Sequence, residues 1–138
     1  EPGQVLMLNN IGIVHTRQGR YADALAFYER SLRLKEKLGD EPGQVLTLNN
    51  IGVVHMNQGR YADALAFYER SLRLAEKLGD KPGQARTFGN MALVAEAQGR
   101  PAEAFGLIER ALAIADRTGM AERDQIRQLR DRIRSKAR

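Results

Sequence analysis

Residues 41–80 read EPGQVLTLNN IGVVHMNQGR YADALAFYER SLRLAEKLGD, and residues 1–40 spell the same segment with 35 identities in 40. The differences are Met7/Thr47, Ile13/Val53, Thr16/Met56, Arg17/Asn57 and Lys35/Ala75. Residues 81–120 continue the register with 16 identities to the second segment, among them Pro82, Gly83, Gln84, Asn90, Gln98, Gly99, Arg100, Ala104 and Leu112. A period between about 20 and 50 residues marks stacked supersecondary units, each unable to bury its apolar face alone. The chain therefore divides into three 40-residue units, 1–40, 41–80 and 81–120, followed by a basic segment, 121–138.

Each unit holds two helical patterns. In the second, Val45, Leu48, Gly52 and His55 share one helical face, and Tyr61, Ala64, Leu65, Tyr68, Ser71, Leu72 and Ala75 trace another. Gly19, Gly59 and Gly99 stand where the first helix must end in a left-handed residue, and Pro101 suits the first position of the following helix. Gly39-Asp40 and Gly79-Asp80 supply a stop and then an N-cap for the next unit. The first helix is apolar nearly all round, because Leu46, Asn49, Val53 and Met56 form a second stripe beside the first. Such a helix needs cover on two sides, or it lines a concave surface.

Composition narrows the functional classes. With 138 residues, 43% hydrophobic and 28% charged, the chain is that of a folded domain rather than a disordered one. The absence of Cys excludes disulfide frameworks, thiol nucleophiles and thiolate metal sites, and fits a cytoplasmic setting. No apolar run approaches the roughly 18 to 20 residues that span a bilayer, so no membrane role is expected. The opening Glu1-Pro2-Gly3-Gln4 is neither a signal peptide nor a start Met, as in a piece of a longer chain. Of the net charge of +5, the three units carry +1, −1 and +1 and residues 121–138 carry +4. The high charge thus describes the tail and not the body.

These positions resemble the tetratricopeptide repeat (TPR), whose pattern is W-x2-L-G-x2-Y, then A-x3-F. Leu48, Ile51-Gly52, His55, Gly59, Tyr61, Ala64, Tyr68 and Ser71 stand at its positions in the second unit. The first unit offers Leu8, Ile11-Gly12, His15, Gly19, Tyr21, Ala24, Tyr28 and Ser31, and the third Phe88, Met91-Ala92, Ala95, Gly99, Ala104, Ile108 and Ala111. The 40-residue period, with Leu-Asn-Asn-Ile-Gly opening the first helix and Gln-Gly-Arg-Tyr at the turn, is similar to the longer repeats of kinesin light chains and Pins-type adaptors. The resemblance implies an all-α solenoid of three helix-turn-helix repeats plus a C-terminal capping helix, seven helices in all.

It also implies a non-catalytic scaffold that holds a peptide or partner segment in a groove lined by the first helices. Asparagines there bond the peptide backbone, since an amide both donates and accepts. The positions implied are Asn9, Asn10, Asn49, Asn50 and Asn90, with Ile13, Val53, Leu93 and Met56 for apolar contact and Arg17, Asn57, Arg86 and Glu96 for polar contact. Adjacent asparagines point about 100 degrees apart on a helix. One of each pair, Asn10, Asn50 and Asn90, therefore holds inter-repeat packing or ligand backbone, and the other faces the groove.

His15 and His55 are the only histidines and lie 40 residues apart at equivalent places, so duplication produced them and packing accounts for them. No metal, cofactor or catalytic constellation is expected. A second reading takes the basic tail as a nucleic-acid arm; it is disfavoured because the tail lacks aromatic stacking residues. A third has copies associating by end-to-end stacking of repeats or by helix exchange, since the first two units are nearly interchangeable.

Overall fold

The computed structural model describes residues 19–137, and all the regular structure among them is helical. The six helices are α1 (Tyr21–Leu38), α2 (Glu41–Asn57), α3 (Tyr61–Leu78), α4 (Lys81–Ala97), α5 (Pro101–Thr118) and α6 (Arg123–Ala137). The seventh expected helix, which would open the chain, lies outside the described residues. The described residues fall into two compact units, one up to residue 74 and one from residue 75.

The turns follow from the sequence. At the end of α2 the amide of Arg60 donates to the carbonyl of His55 at 2.9 Å and that of Gly59 to Met56 at 2.9 Å. This pair of hydrogen bonds closes the helix around a left-handed residue, and Gly59 takes φ 76° there, a conformation that costs a side-chain-bearing residue about 1 kcal/mol or more. The same pair recurs after α4, where Arg100 donates to Ala95 and Gly99 to Glu96. Helix starts are equally local. The carboxylate of Asp40 accepts from the amide of Gly43 at 2.9 Å, and that of Asp80 from Gly83 at 2.9 Å. A Cβ on Gly43 or Gly83 would collide with that capping carboxylate, so the Asp-x-Pro-Gly sequence is a single device: cap, first-turn proline, and room for the cap to fold back.

In the first unit, Ala24, Tyr28, Ile51 and Val54 form a buried core against which Tyr21, Leu25, Leu32 and Phe67 pack. α3 closes on α2 through a close approach at Gly52. A Cβ there would penetrate the ring of Tyr68, a side chain with no exposure at all. One turn away, His55 stacks on Phe67 with ring centroids 5.3 Å apart and planes 15° from parallel, and Arg70 lies over the same Phe67 ring at 5.4 Å. His55 is thus a packing residue, as its position implies. Ser71 ties the far end of the interface by donating to the carbonyl of Val45 at 3.1 Å.

Burial of a lysine was not legible in the sequence. Lys35 is 2% exposed, and its ammonium donates to Thr47 Oγ1 at 2.6 Å, while the Thr47 hydroxyl donates to the carbonyl of Gly43 at 3.1 Å. In the second unit the equivalent residue is Ala75, and the space is used differently: buried Gln84 donates to the Ala75 carbonyl at 3.4 Å. Burial lowers the Lys35 pKa and the nearby Asp40 charge partly offsets this. In that second unit α4 packs on α5 and α5 on α6. Ala92, Ala95, Ala104, Ile108 and Ala111 are buried along these helices, and Arg110 lies over the Phe88 ring at 4.3 Å.

Two outcomes are expected. Gly52→Ala overpacks the α2–α3 contact and costs about 1–3 kcal/mol in urea unfolding. Adding Tyr68→Ile, the pairing already used by Ala92 and Ile108, makes the double variant less destabilised than the two single costs combined. Lys35→Met keeps the stem, removes the buried charge and raises stability at neutral pH by up to about 1 kcal/mol. Because the folded-state pKa of Lys35 lies below 10.5, the unfolded chain binds more protons as pH approaches that value. The contribution of Lys35 to stability therefore rises with alkaline pH, opposite in sign to that of the buried Tyr68 phenol, and the stability gap between the Met variant and the wild type narrows in thermal melts as pH rises toward 10.5.

Candidate functional site

The first helix of each described unit presents one open stripe. On α2 it comprises Leu46, Asn50, Val53 and Asn57, spaced four, three and four residues apart, with Leu46 46% exposed and Asn57 also exposed. Asn50 and Val53 are half-buried, each with a face to solvent. On α4 the equivalent positions are Arg86, Asn90, Leu93 and Ala97, with Arg86 and Ala97 exposed and the two between them half-buried. Both stripes therefore place an amide next to an aliphatic side chain on an accessible helix face. Such a surface can bond a passing peptide group while covering an apolar side chain.

Several predicted site residues lie elsewhere. Asn49, expected to face the groove, is 5% exposed and packed inside; three residues beyond Leu46 it falls to one side of the open stripe, whereas Asn50, four beyond, returns to it. Met56 is half-buried at the stripe's edge. Asn9, Asn10, Ile13 and Arg17 lie outside the described residues.

Arg86 and Glu96 were expected as polar contacts for a partner, and the fold uses both internally. Arg86 pairs with Glu122, just ahead of α6. Glu96, whose side chain keeps 14% exposure, accepts from Arg132 at 2.6 Å and from Lys136 at 3.2 Å, both on α6. Burial pushes the Glu96 carboxyl up, but the hydrogen bonds and charges of Arg132 and Lys136 outweigh it and hold the group below the usual carboxylate range. α6 also reaches α5, with Arg127 paired to Asp116 at 3.3 Å and Arg130 to Glu109 at 3.3 Å. Arg123 and Arg134 pair with Asp124 and Asp131 on α6 itself. Every cation of α6 thus has a carboxylate neighbour, and Ile126 and Ile133 are buried beneath it.

Among the described residues no cluster of His, Asp or Glu could hold a metal ion, and no helix is long and apolar enough to cross a membrane. Among the described residues, His55 Nδ1, Gln58 Oε1 and the Tyr68 hydroxyl are buried without a hydrogen-bond partner. Burial raises the Tyr68 phenol well above its ordinary value.

The sequence matches the tetratricopeptide repeat family over residues 3–55 and 43–117, which together enter all three 40-residue units. No curated protein gives a significant sequence match. Among solved structures, the chain is similar to a kinesin-light-chain-like protein of Podosopora anserina with nearly identical TPR-like repeats, at TM-score 0.80 and 15% identity, covering 99% of this chain and 68% of that one. It is similar to BtubC (BKLC) from P. vanneervenii at TM-score 0.77 and 20% identity, covering 96% and 56%. It is also similar to aspartyl phosphate phosphatase F from Bacillus subtilis at TM-score 0.87 and 13% identity, covering 95% and 35%. Identities this low establish a shared all-α, TPR-type fold and nothing finer, and the chain spans only 56% and 35% of the last two proteins.

The electrostatics give an expected acid response. Because the folded-state pKa of Glu96 is depressed, its stabilisation is complete above the ordinary carboxylate range and is lost as pH falls through the folded value. Amide exchange should therefore show α6 losing protection ahead of α4 as pH falls below the usual carboxylate range. In Glu96→Gln the loosening is already present at neutral pH, and acid adds little.

Proposed function

We propose that this chain, which belongs to the tetratricopeptide repeat family, binds an extended peptide or partner segment on the open stripe that α2 presents, a surface repeated on α4, without chemistry or cofactor. The family and fold support a protein-interaction scaffold in general. The observation that carries the finer reading is the recurrence of one arrangement, Asn50 beside Val53 on α2 and Asn90 beside Leu93 on α4, at accessible positions 40 residues apart. Both asparagines reappear although the two units share only 16 residues in 40, and in each the aliphatic neighbour stays aliphatic. The exposed Leu46 extends the apolar part of the α2 stripe.

The ligand this surface fits is an extended segment with an uncharged stretch. The α2 stripe holds no ionisable side chain, and Arg86 on the α4 stripe already has Glu122 beside it. Burying a partner's unpaired charge against such a face would cost more than it returned. Nucleic acid fits less well, since each cation of α6 sits beside a carboxylate of its own chain and no aromatic side chain accompanies them. Association of copies by end-to-end stacking or helix exchange rests on the near identity of residues 1–40 and 41–80, and belongs with the same proposal as a secondary mode. A cytoplasmic site of action is part of this reading.

A displayed library of unstructured peptides, panned against the full chain, tests it. Enriched peptides should lose about tenfold or more in affinity for Val53→Glu, which buries a charge on the stripe, and roughly fivefold for Asn50→Ala, the loss of one hydrogen bond of about 1 kcal/mol. Both variants should keep the wild-type melting transition. Failure to enrich any peptide, or equal binding by Val53→Glu, overturns the assignment.

A further inference from the structure

The two ion pairs that join α4 to the C-terminal segment share a property that single surface salt bridges lack. Arg86 pairs with Glu122, and Glu96 with Arg132; each pair is separated by 36 positions in sequence. An equal offset at both contacts means that the two segments run parallel and in one register. Along α4 the charges read cation, then anion ten residues on; along the C-terminal segment they read anion, then cation ten residues on. Ten residues of helix cover about 15 Å, so the contacts fix the segment at two well-separated points. Lys136 joins Arg132 on Glu96 and reinforces the second point.

The repeat itself supplies the control. The residues of the second unit equivalent to Arg86 and Glu96 are Leu46 and Met56, and those of the first are Leu6 and Thr16. Neither earlier unit has a charge at either place. Only the unit followed by the basic segment acquired both charges, in the order that segment matches.

We propose that Arg86 and Glu96 form a two-point charge code on α4 that selects the C-terminal segment as its neighbour and sets its direction and register. The occupant is a named part of this chain, residues 122–137. The buried Ile126 and Ile133 give adhesion without direction, since they would pack on an apolar surface in more than one register. The charges remove that freedom: sliding or reversing α6 would leave Glu96, at 14% exposure, without its cations and bring Glu122 away from Arg86. The code thus determines which segment packs on α4, and in which direction.

Charge reversal in the full chain tests this, read by amide hydrogen exchange of α6. Arg86→Glu with Glu96→Arg inverts the polarity of α4, and protection of α6 should fall by about tenfold or more while α1 and α2 stay as protected as in the wild type. Inverting the segment to match, with Glu122→Arg, Arg132→Glu and Lys136→Glu, should restore protection to within about twofold. The loss in the unmatched variant should shrink in 1 M salt, where the Debye length falls to about 3 Å. The proposal is overturned if the inverted α4 holds α6 as well as the wild type does, or if the matched inversion fails to restore protection although α4 and α5 remain helical and protected. Should the inverted variant unfold the second unit altogether, the milder pair Glu96→Gln and Arg132→Gln decides. A coupling between them indistinguishable from zero would show the contacts to be ordinary exposed ion pairs with no selective role.

Discussion

The helical hairpins of this protein depend on pairing a missing side chain with a large one. Gly52 lets the axis of α2 come close enough for the Tyr68 ring of α3 to lie flat against backbone, and the ring in turn has no exposure left. Everything else at that interface is arranged around this approach: the His55–Phe67 stack on one side and the Ser71 bond to Val45 on the other are contacts that helices held further apart could not make. The third unit solves the same problem with Ala92 and Ile108, both without exposure, exchanging some volume from one helix to the other. That exchange also removes a liability, because the Tyr68 hydroxyl is buried without a partner and Ile108 has none to bury. Close-packed interiors tolerate such compensated swaps far better than either change alone.

How much of this could be read from sequence depends on whether the controlling interactions are local. Turn glycines, Asp caps and first-turn prolines act within a few residues, so their spacing announced the boundaries of α1 to α4 and the start of α5, and Gly59 and Asp80 behave as their positions imply; the start of α6 carries no such signal. Repeat identity then multiplied the signal. The phase of a helix about its own axis was harder. Asn49 and Asn50 are equally good amides, and only the packing around α2 decides that the first turns inward and the second outward. Lys35 was misleading in the ordinary way, since a lysine reads as a surface residue, and nothing in its neighbourhood of sequence reveals that Thr47, twelve positions on, will receive its ammonium.

Arg86 and Glu96 illustrate a different limit. Residue type identified them as polar positions on a helix otherwise rich in apolar ones, which suggested contact with something charged. Sequence could not say whether that something was another molecule or the chain itself, and the structure places Glu122, Arg132 and Lys136 against them. Net charge is ambiguous for the same reason. A tail of +4 suggests attraction to polyanions, yet Glu96, Glu109 and Asp116 project from α4 and α5 to meet it. The relevant quantity was the charge of the tail together with the surface it covers.

Comparison of the repeats separates positions that maintain the hairpin from positions that distinguish one unit from the next. The former persist through the divergence of the third unit: the turn glycines, Ala64 and Ala104, Asn50 and Asn90; Thr47 and Thr87 are shared by the second and third units, where the first has Met7. Thr87 keeps the bond of its counterpart, donating to the carbonyl of Gly83 as Thr47 donates to that of Gly43. The latter change in groups whose members touch. Lys35 exchanges for Ala75 where Gln84 turns inward, Gly52 and Tyr68 exchange together, and Leu46 and Met56 give way to Arg86 and Glu96 where a basic helix follows. Asn50 and Asn90 belong to the first class, yet neither is fully buried, and Asn50 stands on the open stripe between Leu46 and Val53. Persistence at a half-buried position marks a place that is neither core nor fully solvent-facing, where packing within the chain and contact with solvent are both retained.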